Sequence, residues 1–231
     1  SQFVQQFDVK RLEMGGNATP VVSGIRRPVF FNATPGTVYF DVSNNGVLVY
    51  ATGPANIGAI RGRIAVLTRQ GKSTPLALPP NIYRSVRVSP DERYLLADIV
   101  TDDANSHLWL YELSGATSLR QLTVAGRNSW GIWSPDGQVA FQSDRDGTRA
   151  IYVQPADSSR GAERLTTPAD GEAHRPLSWR HRQLLYEVAK RNESALWVMS
   201  IAERKAVPFG TVRSTSGLPI SAEISPDGRW V

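Results

Sequence analysis

The sequence predicts an all-β protein built from repeated four-stranded antiparallel units, and three observations predict it. The tripeptide Ser-Pro-Asp recurs at Ser89-Pro90-Asp91, Ser134-Pro135-Asp136 and Ser225-Pro226-Asp227, at spacings of 45 and then 91 residues. The gap in that series is filled in phase. Ser43-Asn44-Asn45-Gly46 lies 46 residues before Ser89, and Leu184-Leu185-Tyr186 follows Val139-Ala140-Phe141 by 45. Each period also carries the same four short apolar runs, so the repeat extends from about residue 43 to the end of the chain.

The third period shows the elements in order. Its runs are Ser129 to Trp133, Val139 to Ser143, Ala150 to Gln154 and Glu163 to Thr166. They are separated by Pro135-Asp136-Gly137, by Asp144-Arg145-Asp146-Gly147 and by the polar stretch Asp157 to Gly161. Short runs rich in Val, Ile, Trp and Tyr, bounded by Asp, Gly, Pro and Ser, are strands joined by hairpins. The third run recurs as Leu108 to Tyr111 and Leu196 to Met199, the fourth as Leu119 to Thr123 and Lys205 to Phe209. A four-stranded repeat of about 45 residues is a β-propeller blade.

The Ser-Pro-Asp-Gly segments read as turns. Proline presets φ for an early turn position, aspartate accepts from backbone amides two residues on, and glycine supplies positive φ. Ser89, Pro90, Asp91, Ser134, Pro135, Asp136, Gly137, Ser225, Pro226, Asp227 and Gly228 are therefore assigned to structure, not chemistry.

The run Ser134 to Gly147, followed by Ile151-Tyr152 and Arg164-Leu165-Thr166, and the C-terminal Ser225 to Val231 resemble the TolB-type, WD-repeat-like β-propellers of bacteria. In detail they are most similar to propellers attached to bacterial serine/threonine kinases, or free in the periplasm. The resemblance implies an extracytoplasmic binding or scaffold module and a six-bladed ring. Six repeats of this length need about 270 residues. One domain spanning 1–231 is expected, with about five blade equivalents and a truncated ring. Residues 1–25 form a half blade, 28–78, 79–123, 124–166 and 167–209 form blades, and 210–231 begins another.

Composition bounds the function. No apolar stretch approaches the roughly 20 residues of a membrane-spanning helix, and no basic-then-apolar leader is present. Zero cysteines remove disulfides, thiolate metal sites and a cysteine nucleophile. The net charge is +5, with 26 basic residues. Only Lys10, Lys72, Lys190 and Lys205 are lysines, so 22 arginines are spread over every repeat. Nucleic-acid binding needs a basic stripe with aromatic platforms, and Arg26-Arg27 and Arg180-His181-Arg182 are the only dense spots, so no nucleic-acid partner is expected.

Apparent motifs fail on their spacing. Gly71-Lys72-Ser73 lacks the glycine of a phosphate-binding loop, since Val66 stands there, and Thr74-Pro75-Leu76 reads as strand. Asp144 to Gly147 lacks the downstream glutamate of a calcium loop. No Gly-x-Ser-x-Gly occurs, and His107, His174 and His181 lie too far apart in sequence to be read as a metal set. No catalytic residue, metal or cofactor is assigned.

The channel mouth remains. Residues leading into the first strand of successive blades form a ring there: Tyr83 and Arg84, Asn128 to Trp130, His174 and Arg175, and Leu218 to Ile220. Tyr83, Arg84, Asn128, Trp130, His174 and Arg175 are the binding candidates, suited to an acidic peptide or ligand. Trp130, Trp133 and Trp179 have packing between blades as their alternative role. The expected function is recognition of a protein, peptide or small ligand at this mouth, as a kinase-linked sensor or a free module. The alternatives are an accessory subunit of a larger membrane complex and, third, a hydrolase or lyase, for which Glu172 and Glu223 are the acidic candidates.

Overall fold

The computed structural model describes residues 2–8, 10–11, 13–23, 25, 40–42, 46–51, 61–68, 71–102, 105–215 and 219–231. Arg26-Arg27, Ser43 to Asn45 and Leu218 lie outside the described residues. Strands β1 (Gln2–Asp8) and β2 (Glu13–Val22) form a two-stranded hairpin. Four antiparallel four-stranded sheets follow, each a simple meander in which neighbours in sequence are neighbours in space. The first blade is β3 (Phe40–Val42), β4 (Leu48–Ala51), β5 (Ile64–Leu67) and β6 (Ser73–Pro75). The second is β7 (Ile82–Val88), β8 (Tyr94–Asp102), β9 (Asn105–Glu112) and β10 (Arg120–Gln121). The third is β11 (Asn128–Trp133), β12 (Gln138–Ser143), β13 (Ala150–Pro155) and β14 (Glu163–Arg164). The fourth is β15 (Glu172–Arg180), β16 (Gln183–Lys190), β17 (Glu193–Ser200) and β18 (Lys205–Ser214). No helix occurs among the described residues.

The apolar runs are continuous because each middle strand feeds two cores. Side chains alternate across a strand, and the second and third blades are covered on both faces by neighbouring blades. Leu95 enters the core between the first and second blades, with Val49, Ile64 and Tyr83, whereas Leu96 faces the third blade with Val139 and Phe141. Ala140 points the other way, toward Trp179, Leu184 and Tyr186 of the fourth blade. A polar residue in such a run would lose solvation on either face.

First strands of adjacent blades lie side by side around the axis. Hydrogen bonds tie each blade to the next. Asp41 Oδ2 accepts from Val88 N at 2.9 Å, Asp98 Oδ2 from Trp130 N at 3.0 Å, and Gln142 Nε2 donates to His174 O at 2.8 Å. Residues 219–224 dock on the fourth blade in the same manner, through Glu187 Oε1 from Ile220 N at 2.9 Å and Ser178 Oγ from Ile224 N at 3.1 Å. They form no strand ladder. β18 continues to Ser214, beyond the boundary at 209 expected from the repeat.

The Ser-Pro-Asp turns are organised by their serines. Ser134 Oγ donates to Asp136 Oδ1 at 2.5 Å and accepts from Gln138 N at 2.8 Å, and Ser89 and Ser225 repeat the pattern with Asp91 and Tyr94, and with Asp227 and Trp230. Gly137 and Gly228 have φ of 81° and 72°, and Glu92 takes the same region at 58° in the turn that lacks glycine.

Candidate functional site

The channel has two ends, and each first strand runs from one to the other. At the end where first strands begin, the expected ring is largely committed to the fold. Tyr83 is 1% exposed, packed in the core between blades, and its hydroxyl donates to Pro79 O at 2.7 Å. Burial pushes its pKa up to about 12. Asn128 is wholly buried, with Nδ2 on Ala125 O and Gly126 O and Oδ1 accepting from Arg145 Nη2 at 3.1 Å. His174 is buried beside Tyr186, and burial lowers its pKa against the opposing pull of Glu172, 3.8 Å away. Tyr83 and Asn128 are therefore packing and loop-anchoring residues, because their polar atoms already have partners.

The two arginines of that ring also have intramolecular carboxylates. Arg175 Nε lies 2.7 Å from Glu187 Oε2, and Nη2 donates to Ile220 O at 2.5 Å. Its guanidinium covers the Trp130 ring at 4.6 Å from the centroid. Arg84 Nη1 is 4.0 Å from Asp98 Oδ2 and donates to Ser106 Oγ at 3.3 Å. Asp98 is buried, and desolvation raises its pKa to about 6 despite Arg84 and the Trp130 amide. Trp130 itself has φ of 59° at a bulge in β11, where register shifts between Ser129 and Ile132. Comparable shifts follow Tyr83 in β7 and Pro176 in β15, so the bulge falls on the ring residues Arg84 and Trp130 but lies beyond His174 and Arg175.

Asp98 and Glu187 were not picked out as functional from the sequence. The signal for them is positional: with Gln142, each directly follows a three-residue apolar run, Leu95 to Ala97, Leu184 to Tyr186 and Val139 to Phe141. A polar residue there has to reach across to the next blade.

The opposite end, ringed by the Ser-Pro-Asp turns, holds a cavity of about 330 Å³. Asp41, Arg87, Glu92, Arg180 and Glu223 supply its charges, Trp133 and Trp179 its aromatic walls, and Pro90, Pro135 and Pro226 its lip. Trp133 and Trp179 are each 8% exposed and belong to the cores between blades, the packing role given as their alternative. Desolvation raises the Asp41 pKa, Arg87 opposes this, and the Glu223 carboxylate raises it further, so these two acids approach one another. Arg180 Nη2 lies 3.8 Å from Glu223 Oε1. Glu172, the other acid considered for catalysis, begins the strand that Arg180 ends. Eight residue steps of extended chain separate them by roughly 25 Å, so Glu172 and Glu223 sit at opposite ends of the channel and cannot act on one bond. Among the described residues no group of three or more His, Asp or Glu is placed to hold a metal ion.

No known family profile matches the chain. Solved structures similar to it include a TolB from Agrobacterium tumefaciens, at 20% identity and a TM-score of 0.64 over 82% of this chain and 70% of that one. TolB from Acinetobacter baumannii is similar at 16% identity and a TM-score of 0.60, over 88% of this chain. The chain spans 48% of that protein's length. The tricorn protease is similar at 15% identity and a TM-score of 0.59, over 89% of this chain and 20% of its own. At these identities the likeness shows the fold, a TolB-like β-propeller, and the same fold occurs in peptidases.

Proposed function

We propose that this propeller is a binding module that recognises a protein or peptide at the end of its channel and does not turn it over. The observation that carries the reading is the cavity ringed by the Ser-Pro-Asp turns. It combines charges of both signs with tryptophan and proline surfaces, the composition of a recognition pocket. The arginines at the other end support it indirectly. With Glu187 and Asp98 on the adjacent strands of their own blades as partners, Arg175 and Arg84 offer less to a ligand than the sequence suggested. The absence of cysteine and the resemblance to bacterial periplasmic propellers support a place outside the cytoplasm, free or attached to a kinase.

Panning a random peptide library against the protein tests the reading. Peptides retained by the wild type and lost by Arg87→Gln/Arg180→Gln, at unchanged melting temperature, are the expected outcome. Hydrolysis of the bound peptides, abolished by Asp41→Asn, would move the protein to the enzyme class.

A second reading, an accessory subunit, is favoured by one feature. The β1–β2 hairpin exposes Phe3, Val4, Phe7 and Met14 at 55%, 58%, 48% and 62%. An apolar two-stranded hairpin of this kind suits docking on a larger assembly. Failure to retain any peptide, with self-association or capture by a membrane complex lost on Phe3→Ser/Phe7→Ser, is the result that would establish it.

A further inference from the structure

A second cavity, of about 440 Å³, lies between the third and fourth blades. It is bounded on one side by the Pro135 to Gln138 hairpin and the ends of β13 and β14, and on the other by Arg182 and the turn 201–204. Pro135, Trp179 and His181 line both this cavity and the channel-end cavity, so the two adjoin at Trp179. The floor is apolar: Val153, Leu165 and Ile201 are half-buried there beside Trp179.

The rim is cationic. Arg160, Arg182 and Arg204 are all exposed on it. The two carboxylates present are already engaged, Asp136 by Ser134 Oγ and Gln138 Nε2, and Glu163 by Arg204. The side chain of Arg182 has no hydrogen bond or ion pair among the described residues. The Arg204–Glu163 pair bridges the two blades at the surface, with side chains 61% and 55% exposed, and exposed pairs exchange partners at little cost. An incoming carboxylate can therefore take Arg204 without a large penalty.

We propose that this groove binds an extended acidic segment of a partner protein. Apolar side chains would lie on Val153, Leu165 and Trp179, carboxylates would meet Arg160, Arg182 and Arg204, and one end would enter the channel cavity. Two adjoining cavities that share Trp179 suit an extended chain better than a compact ligand. Guanidinium groups match carboxylates bidentately, which gives the rim its preference for acidic residues. The inference rests on the channel-end reading above and extends it with a second contact region and a charge preference.

The test is fluorescence anisotropy with a labelled peptide alternating aspartate with leucine and phenylalanine, its lysine counterpart and a labelled oligothymidylate. The proteins are wild type, Arg160→Glu/Arg182→Glu and Arg87→Gln/Arg180→Gln, each checked by melting temperature. Because the groove arginines are exposed, their replacement leaves the fold intact. Expected are binding of the acidic peptide, weaker at high salt, a fall of about tenfold or more in Arg160→Glu/Arg182→Glu, and no binding of the lysine peptide. Unchanged affinity in the groove variant, with loss in the channel variant, overturns the groove and leaves the channel reading standing. Loss in the groove variant alone does the reverse. Wild-type binding of oligothymidylate with no binding of the acidic peptide, or binding of neither, overturns the proposal.

Discussion

Trp130 and Arg175 stand 45 residues apart, at neighbouring positions of successive repeats, and the guanidinium of one lies 4.6 Å above the ring of the other. Two side chains expected to face a common ligand instead face each other. The contact belongs to a chain of interactions in which Glu187 holds Arg175 and both engage Ile220, so it fastens residues 219–224 to the fourth blade.

Breaking that pair should be costly. Arg175 and Glu187 side chains are 8% and 4% exposed, and removing one partner of a buried pair leaves the other uncompensated. Glu187→Gln or Arg175→Ala is expected to destabilise by about 3–5 kcal/mol, whereas Arg175→Met/Glu187→Leu should recover much of the loss. Urea titrations of the three variants measure both effects. A double variant no better than the singles would show that the bonds to Ile220 matter more than the charges.

Asp98 gives stability a pH dependence of defined sign. Its folded pKa is raised from 3.8 to about 6, so between these values the folded state binds more protons than the unfolded one. Stability then falls as pH rises through that window, and the contribution is complete below 3.8. Asp98→Asn should flatten this part of the melting-temperature profile. A profile unchanged by the substitution would place the titration elsewhere.

The turn serines should matter as much as the aspartates. Ser134→Ala removes the donor to Asp136 and the acceptor for Gln138 N, and Asp136→Ala removes the first of these and the bond from Gln138 Nε2. Each is expected to cost about 1 kcal/mol in denaturant unfolding. Lost affinity at unchanged stability would give the turn a binding role.

Gly131 is expected to reject a methyl group. A Cβ there would approach Leu96 Cδ2 at 2.8 Å and Leu108 Cδ1 at 2.9 Å, both in the core against the second blade. Gly131→Ala should destabilise by about 1–3 kcal/mol, since an overfilled core has to shift. Gly137→Ala, by contrast, meets nothing within 4 Å and is limited by its φ of 81° alone. Comparing the two variants by thermal unfolding separates crowding from backbone strain.

The sequence by itself determined the repeat. Ser-Pro-Asp turns and apolar runs act over a few residues, and a 45-residue period of such runs leaves a meander of four strands as the unit. Their continuous apolar character already required cover on both faces. What the tertiary structure decided is which polar residues are spoken for. Arg84, Asn128 and Arg175 look like solvent-facing candidates along the chain. Asp98 and Glu187, on the neighbouring strand, and Arg145, in the turn that follows it, occupy them from between 12 and 17 residues away. The cavity at the far end of the channel, and its groove between the third and fourth blades, arise from surfaces contributed by several repeats at once. Periodicity places such residues on the same ring, but only packing fixes whether two members of the ring meet each other or leave room for a ligand.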